Sequence, residues 1–292
     1  MKSYLKLLRI EQWIKNIFVF APLFFSNNLF VKEYWLASIL TFFSFCFISS
    51  SIYCLNDLCD VKLDRLHPRK KTRPIALGEV SIKGGYILML FCALISVVIV
   101  LILCPNNFLN LLCVIMGYWI MNVAYCLKLK RYAIVDVIII SFGFVLRVLA
   151  GGIALGIWVS HWLILLTFLL ALFLAFTKRY DDFSIYETTG IKPRVSISGY
   201  NKFFIGEASA IIASITVVGY IMYTMSEEVT TRMGSRYTYL TSVWVLAGIL
   251  RYLQTMIVYN QSGSPTRSLI NDHFIHLCVA GWLLSFFFII YL

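Results

Sequence analysis

The stretch NDLCDVKLDRLHPRKKTRPIALG at residues 56–78 decides the fold class, because it interrupts a chain that is apolar on both sides. It carries three aspartates and six lysines and arginines, whereas residues 34–56 and 84–127 contain no charged side chain. A charged stretch between long apolar segments is typical of a loop at a membrane surface. The flanking segments therefore predict a membrane protein with this stretch at its surface.

Apolar segments of membrane-spanning length recur along all 292 residues. The chain is 60% hydrophobic and 13% charged, whereas a soluble domain is about a quarter charged. A span needs about 20 apolar residues, and backbone groups in lipid must be hydrogen-bonded within the segment, so the spans are predicted to be helices. The sequence predicts an all-α, polytopic membrane protein with one integral-membrane domain over residues 1–292. The nine predicted spans are 15–31, 36–55, 84–104, 108–126, 133–151, 158–176, 205–225, 238–258 and 273–291.

The basic residues predict the orientation of these spans. Of the 25 lysines and arginines, 21 fall on the side of the N-terminus and three on the other side. Because loops rich in Lys and Arg stay in the cytoplasm, the N-terminus is predicted to be cytoplasmic and the C-terminus external, in the inner membrane. This topology and contacts with anionic lipids account for the net charge of +11, so no nucleic-acid partner is predicted.

Three carboxylates in the quoted stretch are spaced as one helix face requires. Asp57, Asp60 and Asp64 are three and four residues apart, and Asn56 lies at the edge of the same face. Like charges at this spacing repel one another, and the negative end of the helix dipole adds to the repulsion. Two explanations stay open: a solvated helix end neutralised by nearby basic side chains, or a site for a divalent cation.

The second explanation combines the acids with the basic loop that follows them. Mg²⁺ prefers oxygen ligands and is commonly held by one or two carboxylates plus substrate phosphates. His67-Pro68 is predicted to end the helix, and the loop after it can fold back over the acids. Its arginines and lysines can bind phosphate, Arg in a bidentate manner and Lys as a point charge.

The string NDxxDxxxDRxHPxKxxRPIAxG resembles the first aspartate-rich motif of the UbiA superfamily of intramembrane prenyltransferases. Within that superfamily the sequence is most similar to the decaprenyl-phosphate phosphoribosyltransferase branch. The similar stretches are 8–25, 64–78, 127–152, 173–182 and 194–200. The resemblance implies nine helices around a lipid-accessible cavity, a Mg²⁺ cofactor and the loss of diphosphate.

One departure from the superfamily lies at residues 178–182, which read KRYDD. Most members have a second acidic motif of the form DxxxD at this place. Here Ile185 and Tyr186 stand four residues after Asp181 and Asp182, so the spacing is absent. A more cationic site suits two phosphate-bearing substrates, because these would otherwise repel each other.

The resemblance therefore implies transfer of 5-phosphoribose from phosphoribosyl diphosphate to a polyprenyl phosphate. Asp57, Asp60 and Asp64 are the predicted catalytic and metal-binding residues. The predicted substrate-binding residues are Asn56, Arg65, Lys70, Arg73, Lys15, Tyr125, Lys128, Lys178, Arg179 and Asp182.

Alternatives remain for several residues and for the function. Lys15 fits an interfacial anchor as well as a lipid-phosphate contact. Asp136 and Arg147 are charges inside one predicted span, and such charges are usually functional, although Arg147 could also extend to the membrane surface.

The rival functions are a prenyltransferase that acts on prenyl diphosphate and an aromatic acceptor, and an ion-coupled transporter. A transporter site would lie nearer the middle of the membrane.

Overall fold

The computed structural model describes residues 2–26, 29–66, 70–103, 108–190, 192–259 and 272–291. All regular secondary structure in these ranges is helical, which confirms the all-α prediction. The α-helices are α1 (Lys2–Leu8), α2 (Ala21–Phe25), α3 (Lys32–Leu66), α4 (Pro74–Leu77), α5 (Ile82–Leu103), α6 (Phe108–Leu127), α7 (Val135–Leu155), α8 (His161–Thr189), α9 (Lys202–Met225), α10 (Glu227–Met233), α11 (Ser242–Ile257) and α12 (His273–Tyr291). The 3₁₀ segments are Ile10–Phe20, Lys70–Thr72, Leu129–Arg131, Val195–Gly199 and Arg236–Thr241.

Seven helices of the described ranges are long and apolar enough to cross a membrane. They are α3, α5, α6, α7, α8, α9 and the continuous stretch Arg236–Ile257. The predicted count of nine is not confirmed. The ninth predicted span coincides with α12, whose apolar part His273–Ile289 is shorter than the seven.

The first predicted span, residues 15–31, differs most from the expectation, because it does not form one long α-helix. Its chain forms the 3₁₀ helix Ile10–Phe20 followed by the short helix α2. Pro22 lies in the first turn of α2, where proline is well tolerated. A 3₁₀ helix rises about 2.0 Å per residue, against about 1.5 Å for an α-helix, so this segment extends further than its 16 residues would as an α-helix.

The chain divides into two compact units, residues 1–130 with 142–160, and residues 131–141 with 161–292. In the first unit α3 packs against α5, α6 and the 3₁₀ helix Ile10–Phe20. Phe45, Ile48, Leu111 and Ile115 are buried in its core. Buried serines also join α3 to α5, since the hydroxyl oxygens of Ser44 and Ser96 lie 2.8 Å apart. The first unit is thus built around α3.

Arg147 is buried inside the first unit, with 5% of its surface exposed, so it does not extend to the membrane surface. It donates hydrogen bonds to the Asn16 side-chain oxygen at 2.7 Å, to the Gly143 carbonyl at 2.6 Å and to the Tyr118 hydroxyl at 3.0 Å. Its guanidinium also lies 5.2 Å from the centre of the Phe144 ring. Neutral dipoles and aromatic faces therefore stabilise this charge, and they tie α7 to the 3₁₀ helix.

In the second unit α8 packs against α9, and α11 packs against α8, α9 and α12. Phe173, Ile205, Ile249 and Met256 are buried in its core. The 3₁₀ segment Val195–Gly199 lies against α8. This unit therefore holds the end of α8 and the loop that leads to α9 close together.

Gly151 allows the close approach of α7 to the 3₁₀ helix, because a Cβ atom at this position would overlap the backbone carbonyl of Val19. We expect Gly151→Ala to destabilise the protein by about 1–3 kcal/mol, since backbone cannot move aside as a side chain can. The measurement is the thermal unfolding midpoint in detergent.

Gly117→Ala is the matched control, because a Cβ atom there meets nothing within 4 Å. Alanine favours the helix over glycine by up to about 1 kcal/mol, so the midpoint of this variant should hold or rise. Equal midpoints for both variants would contradict the packing argument.

Candidate active site

The acidic face predicted from the sequence forms at the end of α3. This helix runs unbroken for 35 residues, to Leu66, which is about 50 Å at 1.5 Å per residue. A bilayer core is about 30 Å thick, so the last turns of α3 extend past the apolar layer. Asp57 and Asp64 are buried there against protein, and Asp60 is half-buried.

One arginine bridges two of the three carboxylates. The Nη1 nitrogen of Arg73 lies 2.6 Å from Asp64 Oδ2 and 3.1 Å from Asp57 Oδ1. Arg9 contacts the same oxygen of Asp57 through Nη2, at 2.5 Å. Burial of a carboxylate is costly unless it is paired, so these two arginines stabilise the acidic end of α3.

The third carboxylate has a lysine partner from the segment after α6. Lys130 Nζ donates to Asp60 Oδ1 at 2.6 Å and to the Asn56 side-chain oxygen at 3.4 Å. Lys128 and Tyr125 are the residues predicted from the sequence for this region. The structure places Lys130 against the acids, leaves Lys128 exposed and half-buries Tyr125.

The basic loop folds back against α3, as the sequence predicted. Helix α4 and the 3₁₀ segment Lys70–Thr72 both pack on α3. The Arg65 side chain is exposed and donates to the Ala76 carbonyl at 3.2 Å, so it holds the loop in place. Lys70 is half-buried. His67, Pro68 and Arg69, including the predicted helix break, lie outside the described residues.

Arg9 and Lys130 are the residues of this site that the sequence analysis assigned only to membrane orientation. Each lies far along the chain from its partner, 48 residues for Arg9 and 70 for Lys130. The repulsion within the acidic face does indicate that cations must come from elsewhere. It does not indicate which of the chain's 25 lysines and arginines supply them.

The donor set suits magnesium in chemistry, although in the described ranges no group of three or more His, Cys, Asp and Glu residues is arranged to hold a metal. Two carboxylate oxygens already converge on one nitrogen of Arg73. A cation bound beside these two oxygens would have Asp57 and Asp64 as ligands, and Mg²⁺ commonly takes one or two carboxylates with the rest from water and phosphate. The predicted binding by all three aspartates stays a prediction.

A second cluster of charges is buried in the other unit, at the end of α8. Arg179 is fully buried and contacts Asp136 Oδ2 at 2.8 Å through Nε and Asp182 Oδ2 at 2.9 Å through Nη1. Arg194 contacts Asp182 at 3.0 Å. Two cations and two anions thus balance one another in this cluster.

The same cluster fixes the loop before α9. Asp136 accepts hydrogen bonds from the hydroxyls of Ser196 at 3.0 Å and Tyr200 at 2.8 Å. Tyr200 in turn accepts from the Ile134 amide at 2.6 Å. Burial raises the pKa of Tyr200, and the Asp136 charge raises that pKa further, so the phenol stays protonated and remains a donor.

The remaining predicted substrate contacts stand as follows. Lys178 and Lys15 are half-buried. Arg179 was predicted to meet a substrate phosphate, yet its guanidinium has two carboxylate partners and only Nη2 lacks a hydrogen-bond partner in the part of the chain described. Phosphate binding by Arg179 and substrate binding by Asp182 stay predictions that require this cluster to open.

Seven helices of membrane-spanning length, with only helical regular structure in the described residues, define a multi-pass α-helical membrane protein. The profile of the UbiA prenyltransferase family matches residues 17–268, and the chain belongs to that family. It is accordingly a transferase.

The sequence is similar to those of named relatives over most of its length. A decaprenyl-phosphate phosphoribosyltransferase of Corynebacterium glutamicum is 31% identical over 291 residues, which cover 99% of this chain and 86% of that protein. One from Mycolicibacterium smegmatis is 36% identical over 230 residues, 77% of this chain and 70% of that protein.

A solved structure supports the fold. A UbiA homolog from Archaeoglobus fulgidus, bound to GPP and Mg²⁺, superposes with a TM-score of 0.72 at 21% identity, over 99% of this chain and 100% of that one. At this identity the similarity establishes the shared fold of the two chains.

The buried charge cluster in the second unit makes a specific prediction about stability. Arg179→Met leaves the buried Asp136 without its cation, and we expect a loss of about 3–5 kcal/mol in unfolding free energy. Arg194→Met is the matched control, because Arg194 is 27% exposed and Asp182 keeps Arg179. It should cost about 1 kcal/mol or less.

Denaturant unfolding in detergent, followed by tryptophan fluorescence, measures both variants. Equal losses for Arg179→Met and Arg194→Met would contradict the central place of Arg179 in the cluster.

Proposed function

We propose that this transferase moves 5-phosphoribose from phosphoribosyl diphosphate to a polyprenyl phosphate and releases diphosphate, with Mg²⁺ as cofactor. The observation that carries the proposal is the similarity to decaprenyl-phosphate phosphoribosyltransferases along 99% of the chain. We further propose that residues 1–292 act as one transferase domain in the inner membrane, with the N-terminus and the site on the cytoplasmic face and the C-terminus outside.

The end of α8 supports a phosphoribosyl donor over a prenyl diphosphate donor. A second metal site there would need carboxylates that are available to the ion. Asp136 and Asp182 instead accept contacts from Arg179 and Arg194. Pairing alone does not distinguish this end from α3, because the three acids of α3 are paired with cations as well. The end of α8 differs because residues 178–182 lack the DxxxD spacing, and this difference favours a phosphoribosyl donor.

Asp57, Asp60 and Asp64 would hold the magnesium ion. When bound, the ion would neutralise the diphosphate of the donor and make it a better leaving group. In the described structure these acids are held by Arg9, Arg73 and Lys130 instead.

The basic residues of the chain bind and orient the phosphates in this proposal. Arg65, Lys70 and Arg73 lie on α3 and on the loop that folds back against it, and we assign them to the donor. The Asn56 side-chain oxygen accepts a hydrogen bond from Lys130 Nζ, which also donates to Asp60. In this proposal Asn56 orients the phosphates of the donor through Lys130. The further substrate-binding residues that we propose are Lys15, Tyr125, Lys128, Lys178, Arg179 and Asp182.

The reaction balances without a protein nucleophile. The bond between the anomeric carbon of ribose and the diphosphate oxygen breaks, and both electrons leave with diphosphate. A phosphate oxygen of the polyprenyl phosphate forms the new bond to the same carbon. That oxygen is already ionised, so no strong base is needed, and positioning with electrostatic stabilisation supplies most of the rate.

A direct transfer assay tests this function. Purified protein in detergent receives Mg²⁺, radiolabelled phosphoribosyl diphosphate and a polyprenyl phosphate, and we expect label in the organic phase. Asp60→Asn and a chelator should each reduce the transfer by about a hundredfold or more, because the first removes a ligand of the magnesium ion and the second removes the ion that would neutralise the leaving group.

Lys62→Gln is the control, since Lys62 is an exposed residue of α3 that lies between Asp60 and Asp64 in sequence. Transfer by this variant should match that of the natural chain. Transfer of a prenyl group from prenyl diphosphate to an aromatic acceptor, with no ribose transfer, would refute the proposed donor and keep the family.

A further inference from the structure

Arg9 occupies a strained position at the joint between α1 and the 3₁₀ helix Ile10–Phe20. Its backbone is left-handed, with φ 52° and ψ 53°. This conformation is unfavourable for a residue with a side chain, because its Cβ crowds the following carbonyl oxygen. Such strain persists only where the surroundings impose it, and it collects at functional sites. The position therefore calls for a reason beyond the connection of two helices.

The strained backbone places the Arg9 side chain against Asp57 and Tyr53. Its Nη2 atom lies 2.5 Å from Asp57 Oδ1, and its guanidinium carbon lies 5.2 Å from the centre of the Tyr53 ring. Its other nitrogens have no hydrogen-bond partner in the described ranges, and 22% of the side chain is exposed. A guanidinium has five N–H donors, so most of them remain available to a ligand.

Asp57 has more cationic partners than one carboxylate needs. Arg9 and Arg73 both contact its Oδ1 atom, and Arg73 also has Asp64. If a divalent cation took Asp57, three positive groups would converge on one oxygen and repel one another. Among the described residues, Arg9 has Asp57 as its one anionic partner, so it is the group that would leave.

We propose that Arg9 is a phosphate-binding residue that Asp57 holds ready in the metal-free protein, and that it exchanges Asp57 for a diphosphate oxygen when the metal binds. This inference rests on the proposed function, because it assigns a residue to the same site. Arginine suits the exchange, since its planar fork pairs with phosphate oxygens as well as with carboxylate. Tyr53 keeps the guanidinium in place during the exchange through the face of its ring.

Lys130 makes a comparable pair with Asp60 at 2.6 Å. It carries no backbone strain, and it also contacts Asn56. Arg9 therefore offers the sharper test, because its one anionic contact and its strained backbone can be removed together.

A structural role and the exchange predict opposite results for Mg²⁺ binding. If Arg9 only supports the fold around Asp57, its loss should weaken the binding of both Mg²⁺ and diphosphate. If Arg9 exchanges partners, its loss removes a competitor for Asp57 and a ligand for phosphate. Mg²⁺ alone should then bind more tightly, while diphosphate binds more weakly.

The experiment uses the full chain in detergent and two calorimetric titrations, Mg²⁺ alone and inorganic diphosphate at saturating Mg²⁺. Arg9→Gly is the test variant, because glycine adopts positive φ without strain and so protects the fold. We expect Mg²⁺ to bind about tenfold more tightly and diphosphate about tenfold more weakly. Arg9→Lys should keep most of the diphosphate affinity.

Lys62→Gln controls for the loss of one positive charge on the same face of the membrane, and both of its affinities should stay within about threefold of the natural chain's. Weaker binding of both ligands by Arg9→Gly, or no change in either, would overturn the exchange. Inorganic diphosphate is the leaving group of phosphoribosyl and prenyl donors alike, so this outcome is independent of which donor the transfer assay supports.

Discussion

The pairing of the three aspartates at the end of α3 with cations from distant parts of the chain is the constraint on which the first unit depends. Asp57 and Asp64 are buried and cannot remain charged there without partners. Arg9, Arg73 and Lys130 supply the positive charge. Each cation lies on a different segment, so neutralising α3 also gathers the N-terminus, the basic loop and the end of α6 around it.

The second unit also buries charged side chains, and there the cations and anions are equal in number. Its cluster contains two carboxylates and two guanidinium groups, and Arg179 at its centre is fully buried. The charges hold one another and the loop before α9, and they leave little free for a ligand. We propose the metal chemistry at α3, where three carboxylates share one helix face, and substrate contacts at the end of α8 once its cluster opens.

Strained or irregular backbone occurs where close approach is needed. The first apolar segment forms a 3₁₀ helix in place of the α-helix that its composition predicted. Gly151 lets α7 approach the Val19 carbonyl of this 3₁₀ helix. Arg147 of α7 donates a hydrogen bond to Asn16 of the same 3₁₀ helix. Apolar composition predicts that a segment is buried, but contacts with neighbours decide between helix types, because 3₁₀ and α-helices bury similar side chains.

The sequence by itself determined the all-helical membrane class, the positions of most spans and the acidic face on α3. These follow from local rules: the length of apolar runs and the spacing of residues on one helix. Only the tertiary structure decided which cations meet the acids. Arg9 is 48 residues from Asp57 along the chain, and Lys130 is 70 residues from Asp60. Coulomb attraction favours pairing each buried acid with a cation, but its strength is similar for every lysine and arginine at the same distance. The packing of the helices therefore decides which cation lies close enough to pair.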